Sequence, residues 1–130
     1  MARSKAQEVK GMVRVENLTR GQALVSAGRA ADTFCASLRG LIGHKPLEAG
    51  EGLILVPSNS IHTQFMGFPI DVLYVDREQK VVAMDQAMVP WRFGRIHRGA
   101  RFVVELPAGT LAATGTQPGD QLQVEGYRFR

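Results

Sequence analysis

The segment from Ser60 to Asp76, SIHTQFMGFPIDVLYVD, brings an imidazole, an amide, a thioether and carboxylates into two otherwise apolar runs. Strand alternation places His62, Gln64 and Met66 on one face. Because an imidazole can act as an acid, a base or a ligand near neutral pH, this face is the predicted lining of a ligand-binding cleft. The alternative is a histidine that is hydrogen-bonded at the rim of a sheet.

Other signatures of catalysis or metal binding are missing from the sequence. His44 and His97 stand alone in predicted loops, and no second ligand lies at metal-binding spacing from His62. The single cysteine cannot form an intrachain disulfide or a paired-thiol site. A nucleophile elbow, a phosphate-binding glycine loop and a dinucleotide fingerprint are also lacking. We therefore predict no catalytic residue, metal or cofactor, with a hydrolase that uses His62 and a nearby hydroxyl as an alternative.

Asp71 lies inside an apolar run and needs a partner. In the predicted strand IDVLYV every other side chain is apolar or aromatic, so neither strand face is solvated. An unpaired buried charge costs several kcal/mol or more. We predict that Asp71 is buried and bonded to an arginine or to backbone amides, and Arg39 in the motif LRG is the preferred partner. Such an ion pair would be structural.

The segment VPWRFGRIHRGAR carries Arg92, Arg95, Arg98 and Arg101 at intervals of three, with Trp91 beside the first. Guanidinium and aromatic groups together suit phosphates and unstacked bases. Binding of nucleic acid or another polyanion is therefore one interpretation. The other, which we favour, is a solvated loop with Trp91 at the rim of the cleft.

Short strands are predicted to position these side chains. An opening hairpin covers residues 12–25, an amphipathic helix is predicted within ADTFCASLRGLIG, and one helical turn is predicted at 111–113. Turn residues separate the remaining runs. The later strands are predicted at 52–56, 60–65, 70–75, 81–88, 102–106 and 121–124. This spacing predicts a mainly β, compact antiparallel sandwich or barrel-like domain.

Length and composition are those of an ordinary single domain. The chain has 130 residues, of which 45% are hydrophobic and 22% charged, and its formal charge of +4 weakly favours anionic partners. No apolar run approaches the roughly 20 residues of a membrane span, and the polar, basic start contains no secretory signal. We expect a cytoplasmic monomer with a flexible tail at residues 1–10 and one β-rich domain at residues 11–130.

Three separated motifs, LRGLIG, GEGLILVPSNSIHTQFMGFPIDVLYVD and ELPAGTLAATGTQPGDQL, resemble the uncharacterised family known as domain of unknown function 192, or uncharacterised protein family 0127. The resemblance extends from Gly21 to Val124. It implies a jelly-roll-like, mostly β domain with one helix, found in bacteria and archaea, and no established activity. The run HTQFM departs from a common form of the family, so histidine chemistry is not implied by the resemblance.

These observations favour a non-enzymatic domain that binds a small ligand or a protein segment. The predicted cleft lies beside the hairpin of residues 60–76, with the Trp91 loop at its rim. Polyanion binding through residues 91–101 is the alternative from another class, and nucleic acid is possible but not favoured as a partner.

Overall fold

A computed structural model describes residues 13–31, 47–57, 68–89 and 96–129 of the chain. These residues form one seven-stranded sheet and one short helix. The elements, in chain order, are β1 (Val13–Asn17), β2 (Gln22–Ala31), β3 (Glu51–Leu55), β4 (Ile70–Val75), β5 (Val81–Met88), β6 (Phe102–Pro107), α1 (Thr110–Thr114) and β7 (Leu122–Glu125). Across the sheet the strands follow the order β5-β4-β6-β3-β2-β1-β7.

The sheet curls into a half-barrel whose edge strands approach each other at one end. β5 and β7 are the two edges, yet Lys80 and Gln121 form an antiparallel bridge and the Leu122 amide donates to the Gln79 carbonyl over 2.8 Å. The predicted mainly β, barrel-like class is confirmed, as are the opening hairpin and the helical turn at α1. The amphipathic helix within ADTFCASLRGLIG and the strand at 60–65 lie outside the described residues.

One strand pair differs from the antiparallel prediction. β2 and β3 are parallel, in a register that runs from Ala27 opposite Glu51 to Ala31 opposite Leu55. Period-two patterning is the same for parallel and antiparallel strands, so it does not reveal strand direction. A parallel pair needs a long crossover connection, and residues 32–50 connect these two strands. The length of that connection is the sequence feature that permits the parallel arrangement.

Both faces of the sheet carry buried apolar side chains, which form two separate clusters. We call the face that packs against α1 the helix face and the opposite one the Glu105 face. The helix face carries Val13, Val15, Leu24, Val25, Ile54, Val56, Leu73, Val75, Val81, Phe102, Val104, Leu106, Leu111 and Leu122. The Glu105 face carries Ala31, Leu53, Leu55, Phe68, Ile70, Val72, Tyr74 and Val103. β4 is buried along its whole length because it contributes to both clusters.

Asp71 is the carboxylate that links β4 to its neighbours on the helix face. Its side chain is buried, with 1% exposure. Oδ1 accepts the Ala87 amide at 2.7 Å, and Oδ2 accepts the amides of Gly109 at 3.1 Å and Leu111 at 2.8 Å. The latter two are amides at the start of α1, which has no side-chain cap of its own and no acid in its first turn. Asp71 therefore satisfies the open N–H groups of a helix that is distant in sequence.

The bond to Ala87 also holds a strained piece of backbone. Ala87 has φ 50, a left-handed conformation that disfavours residues with a Cβ. The β4–β5 register shifts between Ile70 and Val72, next to Asp71, which indicates a β-bulge in β5. This bulge directs the Ala87 amide towards the Asp71 carboxylate. Burial of Asp71 and its pairing with backbone amides thus agree with the prediction from sequence, whereas Arg39 lies outside the described residues and its ion pair with Asp71 stays a prediction.

A second buried carboxylate, that of Asp120, joins β1 to the turn before β7. Asp120 Oδ2 accepts hydrogen bonds from Asn17 Nδ2 at 2.9 Å, Arg20 Nε at 2.9 Å and the Gln117 amide at 3.0 Å. The hydrogen bond from Arg20 is the main reason that the pKa of Asp120 is lowered to about 2. The end of β1 is thereby fixed to the turn that precedes β7.

Replacing Asp71 tests whether its three amide bonds stabilise the fold. In Asp71→Ala three N–H groups lose their acceptor, and we expect the free energy of unfolding in urea to fall by about 3 kcal/mol or more. Asp71→Asn keeps the volume but loses one acceptor oxygen, so its loss should be intermediate.

Asp76→Ala is the matched control for Asp71→Ala. Asp76 Oδ1 also accepts two backbone amides, those of Glu78 and Lys80, both at 2.9 Å, but in an exposed turn. Water can replace those bonds, so the loss should stay within about 1 kcal/mol. Equal losses from Asp71→Ala and Asp76→Ala would contradict the special role of the buried carboxylate.

Candidate functional site

Most of the residues that the sequence predicts for a site lie outside the described part of the chain, so their roles stay predictions. They are Arg39, His62, Gln64, Met66, Trp91, Arg92 and Arg95. Of the other two arginines in the predicted loop, Arg98 is exposed and Arg101 is half-buried. Polyanion binding by the four arginines together stays a prediction.

A polar row crosses the middle of the Glu105 face. The strand registers place residues side by side from β5 to β2, and facing neighbours in a sheet point their side chains to the same side. The row runs Asp85, Val72, Glu105, Leu53, Arg29. Strands are spaced about 4.8 Å apart, so acids and an arginine alternate with apolar side chains across the sheet. Apolar rows that include Tyr74 and Ile70 flank it on both sides.

Glu105 is the centre of this row and is buried without full hydrogen bonding. It lies on β6 between β3 and β4, and its exposure is only 4%. Burial raises the pKa of its carboxyl to about 8, an increase that the charge of Arg29 partly offsets. Oε1 has no hydrogen-bond partner among the described residues. A buried polar atom of this kind costs free energy unless something binds to it.

Tyr74 contacts two further polar groups on the Glu105 face. Its hydroxyl donates to Asp85 Oδ2 at 2.8 Å, and its ring lies 4.0 Å from that of His97 between centroids. Burial raises the pKa of the Tyr74 phenol, and the hydrogen bond to Asp85 and the nearby carboxyls of Asp85 and Glu105 raise it further. The phenol thus stays a neutral donor. His97 Nε2 is buried and, within the described ranges, has no hydrogen-bond partner.

The available polar atoms on this face are mainly acceptors when Glu105 is ionised, that is, above its pKa of about 8. Glu105 and Asp85 carry carboxyl oxygens, the Tyr74 hydroxyl uses its proton on Asp85, and His97 Nε2 can accept when the ring is neutral. Such acceptors suit a hydrogen-bond donor on a ligand. Among the described residues no group of three or more His, Cys, Asp and Glu side chains could hold a metal ion.

Sequence reasoning missed Glu105, although a signal was present. The strand FVVELP contains one acid in an apolar run, the same pattern that identified Asp71. The sequence predicts an isolated His97, because its contact with Tyr74 joins residues that are distant in the chain. Arg29 and Asp85 carry no local signal, since only the register of five strands aligns them with Glu105.

Comparison with known proteins finds relatives along most of the chain. The family model of domain of unknown function 192 (DUF192), described as "Uncharacterized ACR", matches residues 15–124. A "UPF0127 protein" of Thermococcus sibiricus is 33% identical over 114 residues, which cover 84% of this chain and 73% of the relative. Another, from Pyrococcus furiosus, is 31% identical over 110 residues, which cover 82% of this chain and 94% of the relative. The family resemblance of the three sequence motifs is confirmed.

Two crystal structures share the fold. A protein of unknown function from Novosphingobium aromaticivorans gives a TM-score of 0.73 at 23% identity and covers 85% of this chain and 82% of its own. A protein described as a candidate transcription regulator from Sinorhizobium meliloti gives a TM-score of 0.74 at 20% identity. That match covers 88% of this chain and 93% of the other. At these identities the likeness shows the fold alone. Within the described residues, no helix is long and apolar enough to cross a membrane.

The raised pKa of Glu105 predicts how stability depends on pH. Between about pH 4.5 and about 8 the folded protein keeps a proton that the unfolded chain releases. The stability that this proton adds to the folded state is therefore complete below the lower pH and is lost as pH rises through the higher one. The free energy of unfolding should fall by up to about 1.4 kcal/mol per pH unit. Urea unfolding at several pH values should show this slope, and Glu105→Gln should remove it. Glu78→Gln, on an exposed turn, is the control, and an unchanged slope in Glu105→Gln would contradict the burial of an ionisable Glu105.

Proposed function

Since the chain belongs to the DUF192 family, whose matched members have names that state no reaction or ligand, its function must be inferred from its own geometry, and we propose that it is a non-enzymatic binding domain. The proposed ligand is a small molecule, or the end of a protein segment, that carries an ammonium group on an apolar body. It binds to the Glu105 face.

The observation that carries this proposal is the buried Oε1 atom of Glu105, which has no hydrogen-bond partner among the described residues. A fold gains nothing in stability from an ionisable side chain in this position, because its burial costs free energy. Positions that weaken a fold in this way are characteristic of functional sites. A ligand that donates to Oε1 would supply the bond that the protein itself leaves open.

An ammonium group fits the polar atoms around Glu105. Such a group has three donors and no acceptor, and the open Oε1 atom of Glu105 can accept one of them. The rings of Tyr74 and His97, whose centroids lie 4.0 Å apart and whose planes are tilted by 43°, add aromatic surface to this face. Arg29, two strands from Glu105 in the row, suits a ligand with an anionic group at its far end.

The apolar cluster of the Glu105 face supports an apolar ligand body. Phe68 and Ile70, from the described end of the hairpin of residues 60–76, belong to this cluster. The proposed site is therefore on the face of the sheet to which Phe68 and Ile70 belong, and a cleft beside the hairpin of residues 60–76 is part of the proposal. Contributions from His62, Gln64, Met66 and Trp91 remain part of the proposal.

The other two functions considered from sequence receive less support. A hydrolase would depend on His62, and polyanion binding would depend on four arginines of which Arg98 and Arg101 are described. The fold is shared with the candidate transcription regulator of Sinorhizobium meliloti, but a fold does not specify a function. We therefore retain ligand binding as the proposed function.

Calorimetric titration with benzylammonium, and with benzyl alcohol as its neutral counterpart, tests the proposal. Benzylammonium should bind and benzyl alcohol should bind much more weakly, because only the cation can pair with an ionised Glu105. As protons compete below the Glu105 pKa of about 8, affinity should rise with pH up to that value, by up to about tenfold per pH unit. Binding should release a proton into the buffer.

Glu105→Gln should remove both the preference for the cation and the dependence on pH, while Glu78→Gln should retain them. Equal binding of the two probes, or cation binding that survives in Glu105→Gln, would refute the proposed site.

A further inference from the structure

Two clefts of similar size among the described residues differ in their charge. The first, which we call the arginine cleft, has a volume of about 210 Å³ and is lined by Arg77, Gln79, Arg101, Phe102 and Phe129. The second, of about 220 Å³, contains Arg14 together with Glu16 and Glu125 among its lining residues. In the second cleft the Arg14 guanidinium pairs with Glu125 at 3.0 Å. The five residues that line the arginine cleft include two cations and no acid.

Backbone bonds hold both arginines at the end of β4. The Arg101 amide donates to the Val75 carbonyl, the last residue of β4, at 2.7 Å. Arg77 follows in the adjoining turn, which is fixed because Asp76 Oδ1 accepts the amides of Glu78 and Lys80 at 2.9 Å each. The Oδ1 atom of Asp76 is thus used within the turn. Arg77 itself is exposed and Arg101 is half-buried.

Aromatic rings form the apolar wall of the arginine cleft. Phe129 lies 4.8 Å from Phe102 between ring centroids, and Tyr127 packs edge-on against Phe129 at 4.9 Å. Phe102 is fully buried and part of the helix-face cluster. Gln79 is fixed beside them because its Oε1 accepts the Val124 amide at 3.2 Å. Two positive groups therefore face a wall that is anchored to the core.

We propose that the arginine cleft binds a small organic oxyanion, a carboxylate or phosphate monoester attached to a flat apolar group. A guanidinium presents forked donors that match either oxyanion, and the ring of the ligand packs against Phe129. The volume of about 210 Å³ is below the 300–1,000 Å³ range of common ligand sites, so the ligand is small. This site is separate from the Glu105 face and does not depend on the function proposed for it.

The inference differs from the polyanion interpretation of residues 91–101. Only Arg101 is common to both, and Arg77, which sequence reasoning did not single out, supplies the second charge. The cleft takes one discrete anion with an apolar body, whereas a polyanion site would follow a chain of phosphates and would need no aromatic wall.

Titrations with benzoate, phenyl phosphate and benzylammonium, followed by ¹⁵N NMR of the full chain at constant ionic strength, test the proposal. Benzoate or phenyl phosphate should shift the amide signals of Arg77, Gln79 and Arg101 in a saturable way, and the tighter of the two identifies the anionic group. Benzylammonium has the same ring and the opposite charge, so it should leave the signals of Arg77 and Gln79 unchanged, while a shift of the Arg101 signal alone would report binding at the neighbouring Glu105 face.

Arg77→Gln should weaken anion binding by about tenfold or more, since one charged hydrogen-bonding group is lost. Arg77→Lys keeps the charge but not the fork, so its effect should be smaller. Arg14→Gln is the matched control from the paired cleft and should leave the affinity unchanged. The proposal is overturned if neither anion shifts these signals saturably, if benzylammonium shifts them equally, or if Arg77→Gln and Arg14→Gln have the same effect. Arg77 is exposed on a turn, so its replacement should leave the fold intact. A dispersed NMR spectrum of each variant verifies this.

Discussion

The need to satisfy one buried carboxylate organises the helix face of this protein. Asp71 is almost fully buried on a central strand, where an unpaired charge would be prohibitive. Its two oxygens accept three backbone amides, one from the bulge of β5 and two from the start of α1. The same bonds hold the left-handed backbone of Ala87 and begin a five-residue helix that is too short to be stable alone. β4, β5 and α1 are therefore joined by a single side chain.

Glu105 presents the opposite situation on the other face of the sheet. Both acids lie on central strands and both are buried, but Asp71 is surrounded by amide donors, whereas Glu105 keeps an oxygen without a partner in the part of the chain that the structure describes. Burial therefore raises the pKa of Glu105 to about 8. One carboxylate contributes to the fold and the other leaves a bond open, and this difference in hydrogen bonding is why we assign them different roles.

Much of the fold could be predicted from local patterns. The apolar run of β4, the hairpin of β1 and β2 and the turn at α1 have clear signals in the sequence, and the burial of Asp71 followed from apolar neighbours on both strand faces. The candidate site was less accessible. The partners of Asp71 lie 16, 38 and 40 residues away, and Arg77 becomes a neighbour of Arg101 only because the end of β4 pairs with the start of β6. No local pattern encodes such distances.

By itself the sequence determined the strands, the turns, the family and the presence of acids within apolar runs, because periodicity and turn chemistry act between residues that are near in the chain. Only the tertiary structure decided which acid is satisfied and which is not. The parallel pairing of β2 with β3 brings Arg29 into one row with Glu105, and the antiparallel pairs bring Asp85 into the same row. Strand order and register are set by the packing of the whole sheet, and a shift of one residue would turn each of these side chains to the other face.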